Sequence, residues 1–176
     1  METRSGLIQV YTGDGKGKTT AALGLALRAL GRGWRVKVFQ FMKAPQSSGE
    51  HFSAGRLAPE LEIIPVGRRG FIRDGRPDSE DIRLAQEGFD RARRAVLDRQ
   101  SDLVILDELA VALHFNLVAV DQVLELFRHR PAEVELVITG RGIPEEILAQ
   151  ADLVTEMRAV KHPYQAGVLA RQGIEY

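Results

Sequence analysis

Six short apolar runs recur through the chain, with helix-length segments between most of them. They are LIQVY (7–11), RVKVFQF (35–41), LEIIPV (61–66), DLVILD (102–107), ELVITG (135–140) and DLVTEM (152–157). Several are continuously apolar and rich in β-branched residues rather than alternating. Strands of that kind want cover on both faces, which is the environment of a parallel sheet packed between helices.

The intervening segments supply the helices. KTTAALGLALRALGRG places apolar residues three and four apart and then stops at Gly31 and Gly33. Residues 78–100 form a longer amphipathic pattern, with Asp78 or Ser79 as cap and acidic residues in the first turn, where the helix dipole favours them. A third pattern covers 119–130 and is closed by Pro131. A fourth, 143–151, carries Pro144 in its first turn. Strands alternating with helices predict one α/β domain over 1–176. Residues 43–60 and 67–77 are rich in Gly, Pro, Ser and charge and read as long loops, which in a compact domain are often functional.

The chain has 176 residues, enough for a core, and 24 basic against 24 acidic side chains. That balance makes no case for nucleic acid or an anionic membrane as partner. There is no cysteine, so no disulfide or thiolate metal site. The start has no signal-type apolar region, and no run approaches the roughly 20 residues that span a bilayer. A cytoplasmic protein without membrane insertion is the expectation.

Between the first strand and the first helix stands TGDGKGKTT, residues 12–20. The common phosphate-loop pattern is Gly, four residues, then Gly-Lys-Ser/Thr. Gly17, Lys18 and Thr19 supply the end, whereas Thr12 occupies the position of the first glycine. The context, strand then glycine loop then helix, is that of a P-loop. Gly13, Asp14, Gly15, Lys16, Gly17, Lys18, Thr19 and Thr20 are therefore expected to hold the phosphates of a nucleotide. Backbone N–H groups and the helix N-terminus make the anion site, Lys18 reaches phosphate oxygens, and the Thr19 hydroxyl binds Mg²⁺. Lys16 reads equally as a second phosphate contact or a solvated lysine.

DLVILDEL ends a strand on Asp107 and Glu108. Carboxylates at the end of a central strand, expected beside the first, hold or relay a nucleotide's Mg²⁺. Either can ligate directly or through water. ITGRG (138–142) follows another strand and should lie on the same sheet edge, where Arg141 reads as a phosphate contact or as a surface arginine. His51, His114, His129 and His162 show no metal-ligand spacing. The predicted architecture is P-loop NTPase-like (RecA-like), with a mostly parallel central sheet of six strands flanked by helices. The two motifs alone also suit a phosphoryl-transfer enzyme in which Glu108 activates water or a hydroxyl, or a nucleotide switch with loops that order on binding.

Four stretches carry a closer resemblance: GLIQVYTGDGKGKTTAALGLALRALGRGWRVKVFQFMK, LVILDEL, LVITGRG and the closing VKHPYQAGVLARQGIEY. Together they resemble the P-loop-type ATP:corrinoid (cob(I)alamin) adenosyltransferases of cobalamin biosynthesis. Threonine at the first loop position belongs to that family's pattern. The resemblance implies transfer of the 5′-deoxyadenosyl group of ATP to cobalt(I) of a corrinoid, with triphosphate released and ATP reversed relative to ordinary P-loop enzymes. It implies Lys18 as a catalytic residue, Thr19 and Glu108 as Mg²⁺ ligands, and Asp107 close by. It also implies that Phe71, in the loop RRGFIRD, closes the lower face of the corrin, with Arg73 where relatives can carry a second aromatic. A flavin-dependent reductase or flavodoxin as electron donor and a homodimer follow from the same resemblance. Little chain precedes the first strand, so the N-terminal helix that covers the corrinoid in some relatives is expected to be absent or replaced.

Overall fold

The computed structural model describes residues 5–46, 48–68 and 76–176. Its elements follow the order β1 (Ile8–Thr12), α1 (Lys18–Leu30), β2 (Val36–Phe41), α2 (Gly49–Ala54), β3 (Leu61–Val66), α3 (Ser79–Leu97) and β4 (Leu103–Asp107). Then come α4 (Leu109–His114), α5 (Val120–His129), β5 (Glu135–Thr139), α6 (Glu145–Leu148) and β6 (Leu153–Glu156), with a 3-10 turn at Pro163–Ala166.

The strands form one sheet in the order β3-β2-β4-β5-β1-β6, and its neighbouring strands are all parallel. Burial explains the order. Every residue of β4 and β5 is buried, so both strands lie inside the sheet. Every residue of β6 is exposed, and it lies at an edge. The expectation that Asp107 ends a strand beside the first is corrected here: β5 stands between β4 and β1.

Alternation divides the strand side chains between two layers. Val36, Val38, Leu61, Leu103, Ile105 and Val137 pack with Ala22, Ala26 and Ala29 of α1 and Ala54 of α2. Phe39, Phe41, Ile64, Val104, Leu106 and Ile138 face the other way, toward α3, α4, α5 and α6. Each large side chain buried this way stabilises the fold by about 1.5–3 kcal/mol before entropy is counted. Gly88 of α3 sits where a Cβ would run into Val66, so the missing side chain lets the helix lie close on β3. Asp78, one of the two caps the sequence allows, caps α3 by accepting from the backbone N–H groups of Glu80 and Asp81.

Three helices depart from expectation. Residues 43–60 are not all loop, because α2 lies within them, its C-terminal Ala54 buried against the sheet. No amphipathic period marks six residues with one buried side chain. α4 follows Glu108 immediately, in a stretch for which the sequence predicts no element. The switch is local: Glu108 adopts the left-handed conformation (φ 56°), which turns the chain from strand into helix. α6 is also shorter than predicted, and Pro144 caps it rather than entering its first turn.

Candidate functional site

The period of two that builds the core also builds the site. Gln40, Asp107 and Thr139 continue the α1-facing rows of β2, β4 and β5 at the ends of those strands. Gln40 pairs in register with Asp107. All three are fully buried. Asp107 gathers them. Its Oδ1 accepts from Thr139 Oγ1 at 2.7 Å and from Thr19 Oγ1 at 2.8 Å, and its Oδ2 accepts from Gln40 Nε2 at 3.0 Å. Lys43 Nζ lies 3.4 Å from the same Oδ2. Thr139 Oγ1 in turn accepts from the backbone N–H of Glu108 at 3.0 Å. The strand between β1 and β4 thus supplies the residue that braces both Asp107 and the backbone of Glu108, while Thr19 makes the link to the phosphate loop.

The loop carries the strain that its glycines permit. Gly13 and Gly17 take φ of 94° and 122°, in the region that glycine enters freely. A Cβ on Gly13 would also lie 2.5 Å from the Met157 carbonyl oxygen. The chain beyond β6 therefore lies directly on the loop. The backbone N–H of Gly15 donates to Met157 O at 2.6 Å, and that of Met157 to Thr12 O at 2.8 Å. Further on, Lys16 Nζ pairs with Glu175 Oε1 at 3.1 Å and donates to Ile174 O at 3.2 Å. Lys16 is thus a contact to the closing segment, a role not foreseen from the sequence.

Lys18 is buried, and its Nζ donates to the carbonyls of Gly13 (2.7 Å) and Gly15 (2.8 Å). Burial pushes its pKa down, and the charge of Arg141 adds to the effect. A lysine whose charged form is disfavoured beside a second cation is complementary to a polyanion. Glu108 shifts the opposite way: burial and then the neighbouring Asp107 carboxylate raise its pKa.

These groups border one cavity of about 940 Å³. Its polar end holds Gly15–Thr20, Lys43, Glu50, Glu108 and Arg141, and its apolar end is lined by Leu23, Leu27 and Leu30 of α1 with Leu57 and Ile63. The structure therefore brings Lys16, Lys18, Thr19, Thr20, Glu108 and Arg141 to one place, with Asp107 beneath Thr19. Asp14 is exposed but contributes its charge to Lys18. Phe71 and Arg73 lie outside the described residues.

The donor set fits magnesium. That ion takes one or two carboxylates, keeps several waters and shares the rest of its shell with phosphates. Thr19 and Glu108 face the cavity. Asp107, with Thr19 and Thr139 on one oxygen and Gln40 and Lys43 near the other, is suited to orient Thr19 from behind. Among the described residues no group of three or more His, Asp or Glu forms an all-protein metal cage.

Five residues of the site are not singled out by the sequence, Thr139 among them. Gln40 left a signal, a polar residue at an inward strand position in VKVFQF. Lys43, Glu50 and His51 left none, because their placement depends on α2. Gln40 Nε2 donates to Glu50 Oε1 at 2.9 Å, Lys43 Nζ does so at 3.1 Å, and His51 Nε2 meets Gln40 Oε1 at 2.6 Å.

Comparison with known proteins agrees with this geometry. The family model for ATP:corrinoid adenosyltransferase BtuR/CobO/CobP matches residues 4–176. The corrinoid adenosyltransferase of Escherichia coli K12 is 40% identical over 171 residues, covering 97% of this chain and 86% of that protein. That of Pseudomonas aeruginosa is 38% identical, covering 97% and 84%. Among solved structures, the flagellar accessory protein FlaH from Methanocaldococcus jannaschii superposes with a TM-score of 0.64 over 87% of this chain and 71% of its own. At 17% identity that likeness speaks for the P-loop NTPase-like fold alone. The match to the family model and to these relatives spans nearly the whole chain, and the protein belongs to the ATP:corrinoid adenosyltransferase family of transferases.

Proposed function

We propose that the protein transfers the 5′-deoxyadenosyl group of ATP to the cobalt(I) of a reduced corrinoid and releases triphosphate. The observation that carries this reading, beside family membership, is the convergence of Lys18, Arg141, Thr19 and Glu108 on one cavity. Such a site suits a phosphate chain that departs whole.

In the step, an electron pair on cobalt forms the bond to the ribose 5′-carbon. The carbon–oxygen bond breaks, and its pair leaves on the triphosphate oxygen. No proton moves, so no general base is required. The protein's contribution is to hold cobalt and carbon in line and to stabilise charge on the leaving group. Lys18 leaves the carbonyls of Gly13 and Gly15 for phosphate oxygens, and Arg141 faces the same chain. Thr19 and Glu108 would hold Mg²⁺, with Asp107 fixing Thr19, and the ion would supply further neutralisation of the triphosphate. The apolar end of the cavity offers surface to the ring systems of the substrates.

By the family resemblance, Phe71 covers the lower face of the corrin and favours cobalt(I). A flavin-dependent reductase or flavodoxin delivers the electron in the cytoplasm, and the protein works as a homodimer. The test is to incubate the protein with MgATP and a chemically reduced corrinoid, then record phosphorus NMR and the visible spectrum. Triphosphate with an adenosylated corrinoid is expected. ADP and orthophosphate with an unchanged corrinoid would overturn the proposal in favour of phosphoryl transfer.

A further inference from the structure

Lys43 follows β2 directly, past Met42, which turns the chain with φ 60°. Its side chain is only 27% exposed, yet it borders the phosphate cavity. Its ammonium stands between two carboxylates, 3.1 Å from Glu50 Oε1 and 3.4 Å from Asp107 Oδ2. Asp107 reaches Thr19 through its other oxygen. Lys43 and Thr19 therefore border the cavity on either side of the buried Asp107 that joins them, with Lys18 next to Thr19 at the end of the loop.

The anchoring around Lys43 is graded. Glu50 is braced by Gln40, which bonds both Glu50 and Asp107, and Gln40 is braced by His51. Asp107 already accepts hydrogen bonds from Thr19, Thr139 and Gln40, so the 3.4 Å approach of Lys43 is the longest of its contacts. Positive charge brought to the Thr19 side of Asp107 weakens the hold of that carboxylate on Lys43, while Glu50 keeps the lysine at the cavity wall. The flexible four-carbon stem lets the ammonium swing through such an exchange.

We infer that Lys43 is a phosphate-binding residue of the ATP site, whose contact with Asp107 is exchanged for a phosphate oxygen when the metal–nucleotide complex binds, Glu50 holding it in reach. This rests on the reading of the cavity as an ATP site. It gives the phosphate chain a cation on the β2 side, opposite those of the loop and Arg141.

The test is calorimetric titration of the wild type, K43M, K43R and K43M/E50Q with MgATP and with magnesium tripolyphosphate, corrinoid omitted. K43M should weaken both ligands about tenfold or more, the loss of one charge-assisted hydrogen bond. K43R should recover part of the loss. K43M/E50Q should remain as weak as K43M, because the missing partner is the phosphate and not Glu50. That double variant leaves no unpaired Glu50 charge and serves if K43M alone folds poorly. Wild-type affinity in K43M/E50Q would overturn the inference and reduce Lys43 to a counter-ion. No binding by the wild type would overturn the ATP-site reading itself, and the inference with it.

Discussion

Thr19 Oγ1 donates a 2.8 Å hydrogen bond to Asp107 Oδ1 across 88 residues of sequence. The first helical turn after the phosphate loop and the end of β4 are thereby locked together, although a whole strand separates β4 from β1. Thr139, on that strand, closes the gap with its own 2.7 Å bond to the same oxygen. Thr139→Val keeps the shape and removes the hydroxyl. It leaves the Glu108 N–H without its acceptor and Asp107 short of a donor. A stability loss of about 1–3 kcal/mol is expected in urea unfolding. A raised Mg²⁺ requirement for ATP binding should accompany it, because Thr19 and Glu108 both lose their bracing.

Lys18 is the buried lysine of the phosphate loop at the proposed triphosphate site. Lys18→Ala should lower the rate of triphosphate formation by about 10²–10³, the effect of removing one preorganised donor to a developing negative charge. Phosphorus NMR of the products measures it. Near-wild-type turnover would show that the triphosphate does not sit on this loop.

Two carboxylates of the site predict opposite pH behaviour. Glu108 has a raised pKa, chiefly through burial and then through Asp107, so its ionised form costs stability in the fold. Glu108→Gln should therefore raise the melting temperature at neutral pH, with the difference vanishing as pH falls through the ordinary carboxylate range, while metal-dependent activity is lost. For Glu50, burial works against ionisation, but hydrogen bonds to the carboxylate, that from Gln40 first among them and its own backbone N–H contributing, with a smaller share from the charge of Lys43, outweigh it and hold the carboxyl at about 2. Its stabilising contribution is complete above its ordinary pKa of 4.5 and lost as pH falls from there toward about 2. Glu50→Gln should flatten the acid limb of the stability curve in that window. An unchanged limb would show that Glu50 is not the carboxylate responsible.

Glycines 15 and 24 offer a matched pair. A Cβ on Gly15 would stand 2.6 Å from the Met157 carbonyl oxygen, whereas one on Gly24 meets nothing within 4 Å. Gly15→Ala should push the closing segment off the loop, cost about 1–3 kcal/mol as overpacking and, by loosening the backbone that Gly15 holds at Met157, speed tryptic cleavage after the already exposed Arg158 and Lys161. Gly24→Ala should stabilise α1 by about 0.5–1 kcal/mol and leave the trypsin pattern unchanged.

Much of this architecture was legible in the order of residues. Runs such as LVIL and LVIT are apolar at every position, and only a strand covered on both faces satisfies them. The glycine loop followed by Lys18 and Thr19 announces an anion site, since its residue types are those that let backbone N–H groups converge. Glu108 and Arg141 follow as polar residues at the mouths of such strands, and both reach the cavity. The resemblance carried by the four motif stretches agrees with the family match over residues 4–176.

What the tertiary structure decided is which strand ends meet. Strand periodicity says that Gln40, Asp107 and Thr139 face one layer of helices, but not that β5 lies between β4 and β1. That order depends on which strands bury every residue, a property of the assembled sheet. The Gln40–Glu50–Lys43 cluster was likewise hidden. Its members come from β2, the turn beyond it and a six-residue helix too short to show a period. Local sequence determines the conformation of each element and the chemistry of the phosphate loop. Long-range packing determines which charges share one cavity, because electrostatic partners are selected by distance in space.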